Sequence, residues 1–132
     1  MDVIKGTRGP YENMVRQANG CYEHQWFDAC GVMIRKFIEN LIINVYEANS
    51  YAAEIKGRDN NFVMLGDLIT RLLAQTYWNL GRETKACLPE VKTLGDRAAH
   101  NRTFMARKAD VDKALIGFRV TAEELLHLAK LK

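Results

Sequence analysis

The sequence predicts an all-α protein, an up-and-down bundle of four to five helices. Three observations carry this. Apolar residues recur at three- and four-residue steps in several separate stretches, the period of one helix face. No useful length of alternating apolar and polar residues appears, so no strand is expected. Nine glycines and two prolines in 132 residues are too few for the many turns of a β-sandwich.

The elements follow in order. Residues 10–19 read as a short helix carrying Tyr11, Met14, Val15 and Ala18, closed by Gly20, because glycine accepts the left-handed backbone of a helix end. Residues 25–47 form the central spine, with Phe27, Cys30, Ile34, Phe37, Ile38, Leu41, Ile42 and Val45 on one broad face. The pattern fails over residues 48–61, a polar connection with at most a weak turn at 51–56. It resumes at 62–74 through Phe62, Leu65, Leu68, Ile69, Leu72 and Leu73, and lapses at 76–81. A further helix spans 88–97, with Pro89 expected in its first turn, where a missing N–H costs nothing. The last helix starts near an Asp110 N-cap and runs to the end, burying Val111, Leu115, Phe118, Ala122, Leu125 and Ala129.

Composition excludes several classes. With 48% hydrophobic and 27% charged residues, the chain is neither disordered nor of low complexity. At this size about two-thirds of the unfolded surface is buried, enough for a core without staples in a single domain. No apolar run approaches the roughly 20 residues that cross a bilayer, so no membrane partner is expected. The polar start with Asp2, Lys5 and Arg8 does not read as a signal peptide. Cys21, Cys30 and Cys87 are odd in number and form no CxxC pair, which suits packed thiols in a reducing cytoplasm.

Net charge is only +3, but its distribution is uneven. Residues 92–108 hold Lys92, Arg97, Arg102, Arg107 and Lys108 against the single acid Asp96. Of the 19 basic and 16 acidic residues, 14 and 15 then remain elsewhere, a slight negative excess. The positive surplus therefore sits in one segment, where it can face a phosphate backbone or simply be a solvated loop. Continued helical geometry would put Arg97 and His100 on one face, with Cβ atoms roughly 5–6 Å apart. Asp96 is one turn before His100, and Lys92 one turn before Asp96. A carboxylate, an imidazole and two cations are thus expected on one patch, beside the small Ala98 and Ala99.

The run from Trp26 through Arg35 to Glu47, and the later Leu94-Gly95-Asp96-Arg97-Ala98-Ala99-His100, resemble the HEPN superfamily of all-helical domains. More narrowly, they resemble an uncharacterised bacterial branch that pairs an Arg–Glu-bearing helix with a late Gly-Asn/Asp-x-Ala-Ala-His turn. The likeness covers residues 11–131, so that 1–132 reads as one HEPN-like domain. Many HEPN domains are dimeric, metal-independent ribonucleases of toxin–antitoxin, CRISPR and phage-defence systems. The resemblance therefore implies RNA binding, a homodimer, an antitoxin or effector protein as partner, and no cofactor or metal. His100 matches the family histidine. The family arginine falls four to six intervening residues earlier, at Gly95, Leu94 or Thr93, and none of these is basic. Arg97 and Lys92 are the nearest cations.

The expected catalytic set is accordingly His100, Arg97 and Asp96. Lys92, Asn101, Arg102, Arg107 and Lys108 are expected to bind RNA, and Arg35 with Glu39 to brace the turn. Imidazole near neutral pH can take a proton from a ribose 2′-OH or return one to the 5′-oxygen, and a fixed cation steadies the charge between. No cluster of carboxylates is present in sequence to hold magnesium. The other class that stays open is an inactive module that dimerises, binds a nucleotide or adapts an effector. His24 reads as a surface or capping residue and His127 as a helix-face residue. Trp26, Phe27 and Trp78 read as core or interface aromatics before stacking platforms.

Overall fold

The spine is the organising element. In a computed structural model, which describes residues 4–7 and 9–132, it is a helix of 22 residues that touches every other helix. The chain order is α1 (Tyr11–Glu23), α2 (Phe27–Ala48), α3 (Leu65–Ala74), α4 (Arg82–His100), α5 (Lys108–Ala114) and α6 (Phe118–Leu128), with a 3₁₀ turn at Ala52–Ile55. The all-helical expectation holds, but six helices stand among the described residues where four to five were expected. No strand occurs among them; a lone antiparallel bridge joins Lys56 and Phe62. Residues 1–3 and 8, part of the polar start read as no leader, lie outside the described residues.

The apolar face of α2 supplies Cys30, Ile34, Phe37, Ile38, Leu41, Ile42, Val45 and Tyr46 to one continuous core. Around it the rings of Tyr11 and Phe37 meet edge-on at 5.5 Å, and Phe37 and Phe118 at 5.6 Å. Trp78 is half-buried against Tyr46, so the irregular stretch before α4 is pinned to the core by its aromatic residue. No helix among the described residues is long and apolar enough to cross a membrane.

Three boundaries differ from the sequence reading, each for a physical reason. Gly20 does not close α1. The helix continues to Glu23, and Gln25 takes the left-handed backbone instead, at φ 65°. There the N–H of Trp26 reaches the Cys21 carbonyl at 2.8 Å and that of Gln25 the Tyr22 carbonyl at 3.1 Å, a Schellman closure without glycine. Ser50 and Lys130 close α2 and α6 in the same way.

Pro89 lies well inside α4, which starts at Arg82. A proline there removes one helix hydrogen bond and costs about 3 kcal/mol. Burial of Cys87, Leu88, Val91 and Leu94 on the same helix outweighs it, since a buried aliphatic side chain contributes about 1.5–3 kcal/mol.

The last helix is two helices. Gly117, left-handed at φ 74°, breaks it between α5 and α6. Asp110 is not the N-cap: that position belongs to Arg107, whose backbone N–H is accepted by the Asp110 carboxylate at 2.9 Å. Val111, Phe118, Ala122, Leu125 and Ala129 are buried as expected, and Leu115 is half-buried at the break.

Candidate functional site

The α2–α4 contact positions the segment of interest, and it is built on small residues. A β-carbon at Gly95 would lie 2.7 Å from the Cβ of Arg35, and one at Gly31 would lie 3.1 Å from the Cβ of Ala98. Residue number rises along α2 as it falls along α4, so the helices run antiparallel. The C-terminus of α4, with His100, therefore stands beside the N-terminus of α2. The close approach that Ala98 allows is made by α2 of the same chain.

This packing gathers four of the expected residues. The Asp96 carboxylate lies 3.6 Å from Arg35 Nε and 3.2 Å from Lys92 Nζ, and Arg35 reaches Glu39 at 3.9 Å. Arg35 is only 16% exposed, and its Nε–H finds no hydrogen-bond acceptor within range. Arg35, expected to brace the turn with Glu39, lies closer to Asp96 than to Glu39. Asp96 and Lys92 are spent on each other and on Arg35.

Because α4 stays helical to His100, Asp96, Lys92, Arg97 and His100 keep the expected spacing, but among the described residues no ion pair or hydrogen bond joins Arg97 or His100 to Asp96 and Lys92. Arg97 leaves the ion network and lays its guanidinium over the Phe104 ring, 5.7 Å from the centroid. It borders a small hollow of about 60 Å³ shared with Glu90, Thr93 and Lys113. His100 is the last residue of α4 and is exposed; among the described residues no hydrogen bond or ion pair reaches its ring. No three His, Cys, Asp or Glu side chains among them come together as metal ligands would.

Beyond His100 the chain forms a tethered loop. The Asn101 side-chain oxygen accepts from the Thr103 N–H and hydroxyl and the Phe104 N–H, at 3.1–3.2 Å. Asn101, expected to bind RNA, thus has its side-chain oxygen engaged in shaping the loop. The Ala106 N–H donates to Asp28 in the first turn of α2 at 2.8 Å, tying the loop to that end of the bundle. Lys108 donates to Asp112 at 2.7 Å and stands over the Tyr22 ring, while the Tyr22 hydroxyl donates to the same carboxylate at 2.6 Å. That pair raises the Lys108 ammonium above its ordinary value and lowers the Asp112 carboxyl below its own.

Of the five clustered cations, Arg97, Arg102 and Arg107 form no ion pair with a carboxylate among the described residues, whereas Lys92 and Lys108 do. All three arginines are exposed. Acids at this end are largely committed: Asp28 to the loop, Asp112 to Lys108 and Tyr22, and Asp96 to Arg35 and Lys92.

Two further residues stand at this end, one of them His24, exposed at the α1 C-cap as the sequence reading expected. Trp26 is 60% exposed, outside the core though open to the interface place that the sequence also allowed, and the His24 ring stacks on it, centroids 4.7 Å apart and planes 26° from parallel. His24 Nδ1–H donates to the Gly20 carbonyl at 2.9 Å, which fixes the ring. The signal available in sequence was the polar run Glu23-His24-Gln25 immediately before Trp26, which separates that indole from the apolar face beginning at Phe27.

Set against known proteins, the chain matches no family model, no curated protein and no solved structure. The reading of function therefore rests on the residues themselves.

Proposed function

We propose that the protein binds RNA at the end of the bundle formed by the α4 C-terminus and the loop after it. In this HEPN-like reading, His100 exchanges protons in a metal-independent cleavage. The observation that carries it is the set of exposed arginines without carboxylate partners, Arg97, Arg102 and Arg107, around an exposed histidine at a helix C-terminus. Unpaired cations gain most from releasing the counterions of a phosphate chain.

The chemistry needs two imidazoles. One takes the proton of a ribose 2′-OH as O2′ bonds to the adjacent phosphorus. The P–O5′ bond breaks, and a second, protonated imidazole gives its proton to the leaving 5′-oxygen. The products are a 2′,3′-cyclic phosphate and a 5′-hydroxyl. A homodimer placing two copies of His100 in one cleft supplies both, and Arg97 supplies the cation that steadies the phosphorane. The setting of such an activity would be prokaryotic defence or a toxin, with an antitoxin or effector protein as further partner.

A second reading, an inactive binding or adaptor module, is favoured by one specific observation. No arginine stands at positions 93–95, and Arg97 is turned onto Phe104. Incubation of the purified protein with structured RNA in EDTA separates the two. Cyclic-phosphate ends that vanish in His100→Ala and fall in Arg97→Ala support the enzyme. RNA bound but never cut leaves the binding module, and RNA neither bound nor cut overturns both.

A further inference from the structure

The turn between α1 and α2 carries more aromatic surface than a helix connection needs. Trp26 presents 60% of its surface to solvent at the N-cap of α2, where burial of its indole would have been favourable. Its ring is already ordered by the His24 stack, and His24 is held by the Gly20 carbonyl. A ring fixed in this way loses little conformational freedom when a second flat ring settles on it. Beside this pair lies a groove of about 400 Å³ lined by Tyr22, Glu23, Gln25, Phe27 and Lys108. Its walls are aromatic, since Tyr22 and Phe27 meet edge-on at 5.9 Å, and Lys108 stands over Tyr22 at its edge.

The position of this feature matters as much as its composition. Asp28, two residues past Trp26, holds the loop that carries Arg102 and Arg107 through the Ala106 N–H. The loop also exposes Met105, 73% accessible, between those arginines. Stackable rings and unpaired guanidinium groups thus share one end of the bundle. Exposed aromatic rings interleaved with cations suit single-stranded nucleic acid, because every base has a π-face and every linkage a charge. A purely apolar protein partner would be poorly served by a surface carrying Arg102, Arg107 and the exposed Glu23.

We propose that the His24–Trp26 stack and the adjoining Tyr22–Phe27–Lys108 groove form a base-stacking subsite for single-stranded RNA. One base stacks on the open face of Trp26, and the next enters the groove. Lys108 has donors left beyond the one given to Asp112 and takes the intervening phosphate. Glu23 on the groove wall favours the exocyclic amino groups of adenine, cytosine or guanine over the carbonyl edge of uracil. The inference rests on the RNA-binding reading above and adds where the bases go.

Two measurements on the full chain test it. Anisotropy of a short fluorescein-labelled single-stranded RNA gives the affinity of wild type, Trp26→Ala and Trp26→Phe. Stacking is worth about 1–3 kcal/mol per base, so Trp26→Ala is expected to weaken binding about tenfold, with Trp26→Phe largely restoring it. Because Trp26 is exposed, its loss leaves the helical circular dichroism unchanged. In Trp78→Phe, Trp26 is the remaining tryptophan, and its emission is expected to be quenched as the RNA saturates. Equal affinity in Trp26→Ala, with unquenched emission, overturns the subsite and leaves the RNA-binding reading standing. Failure of the wild-type protein to bind the RNA overturns both.

Discussion

Gly95 lies directly beneath the side chain of Arg35: a β-carbon added to it would sit 2.7 Å from Arg35 Cβ and 2.9 Å from its Cδ. Because the nearest atom is a β-carbon, fixed to the α2 backbone, a rotamer change cannot relieve the overlap. Alanine ordinarily favours a helix over glycine by about 1 kcal/mol, but overpacking costs about 1–3 kcal/mol. Gly95→Ala is therefore expected to lower stability. Gly20, also inside a helix, has nothing within 4 Å of the same position, and Gly20→Ala is expected to raise stability by about 0.5–1 kcal/mol. Urea midpoints with an unchanged slope measure both, and their opposite signs are the check.

The left-handed residues give a second pair of opposite signs. Gln25, at φ 65°, holds a backbone that costs an L-residue about 1–2 kcal/mol, so Gln25→Gly is expected to stabilise the end of α1. Gly117, at φ 74°, already meets this demand between α5 and α6. Gly117→Ala is expected to lose about 1 kcal/mol, although its Cβ would meet nothing closer than 3.6 Å. Thermal melting of the two variants resolves the difference.

Burial of ionisable groups sets the alkaline limit. Desolvation pushes the Tyr11 and Tyr46 hydroxyls from the ordinary 10.0 up to about 12, and the Cys30 thiol from 9.0 up to about 11. Asn44 donates to the Tyr11 hydroxyl oxygen, which partly opposes the shift. These groups are acids held neutral in the folded state, so the unfolded chain loses its protons first as pH rises. Their stabilisation is full below pH 9 and is lost between pH 9 and about 12. Urea midpoints are expected to fall steadily across that window and to fall less steeply in Tyr11→Phe.

The thiols should differ in reactivity. Cys30 and Cys87 are buried with their thiols pushed up, whereas Cys21 is half-buried. A thiolate-specific reagent at neutral pH is expected to label Cys21 alone in the folded protein and all three cysteines in denaturant. Rapid native labelling of Cys30 or Cys87 would contradict the packing described for α2 and α4.

Helix identity was legible because it depends on periodicity. The α2 face from Cys30 to Val45 was readable residue by residue, and so was the buried side of the last two helices. What the sequence obscured was decided by tertiary contacts. Pro89 reads as a helix start, yet α4 begins earlier because its buried face outweighs one missing hydrogen bond. Gly20 reads as a stop, yet the local closure fell to Gln25. Within the site, the charge cluster and the exposure of His100, Arg102 and Arg107 followed from composition and segment. The partition of Asp96 to Arg35 did not, since it depends on Gly95 admitting α2 at close range. Of the core and interface places the sequence left open to Trp26, the turn geometry excludes the core by setting its ring outside.

The RNA-binding claim is tested most directly by the salt dependence of affinity for a labelled single-stranded RNA. Each phosphate contact on a single strand contributes a slope of about −0.7 in log affinity against log salt. Contacts by Arg97, Arg102, Arg107 and Lys108 give an expected slope near −2.8, and Arg102→Ala combined with Arg107→Ala should bring it to about −1.4. A wild-type affinity that ignores salt, or a slope unchanged in the double variant, would contradict the account.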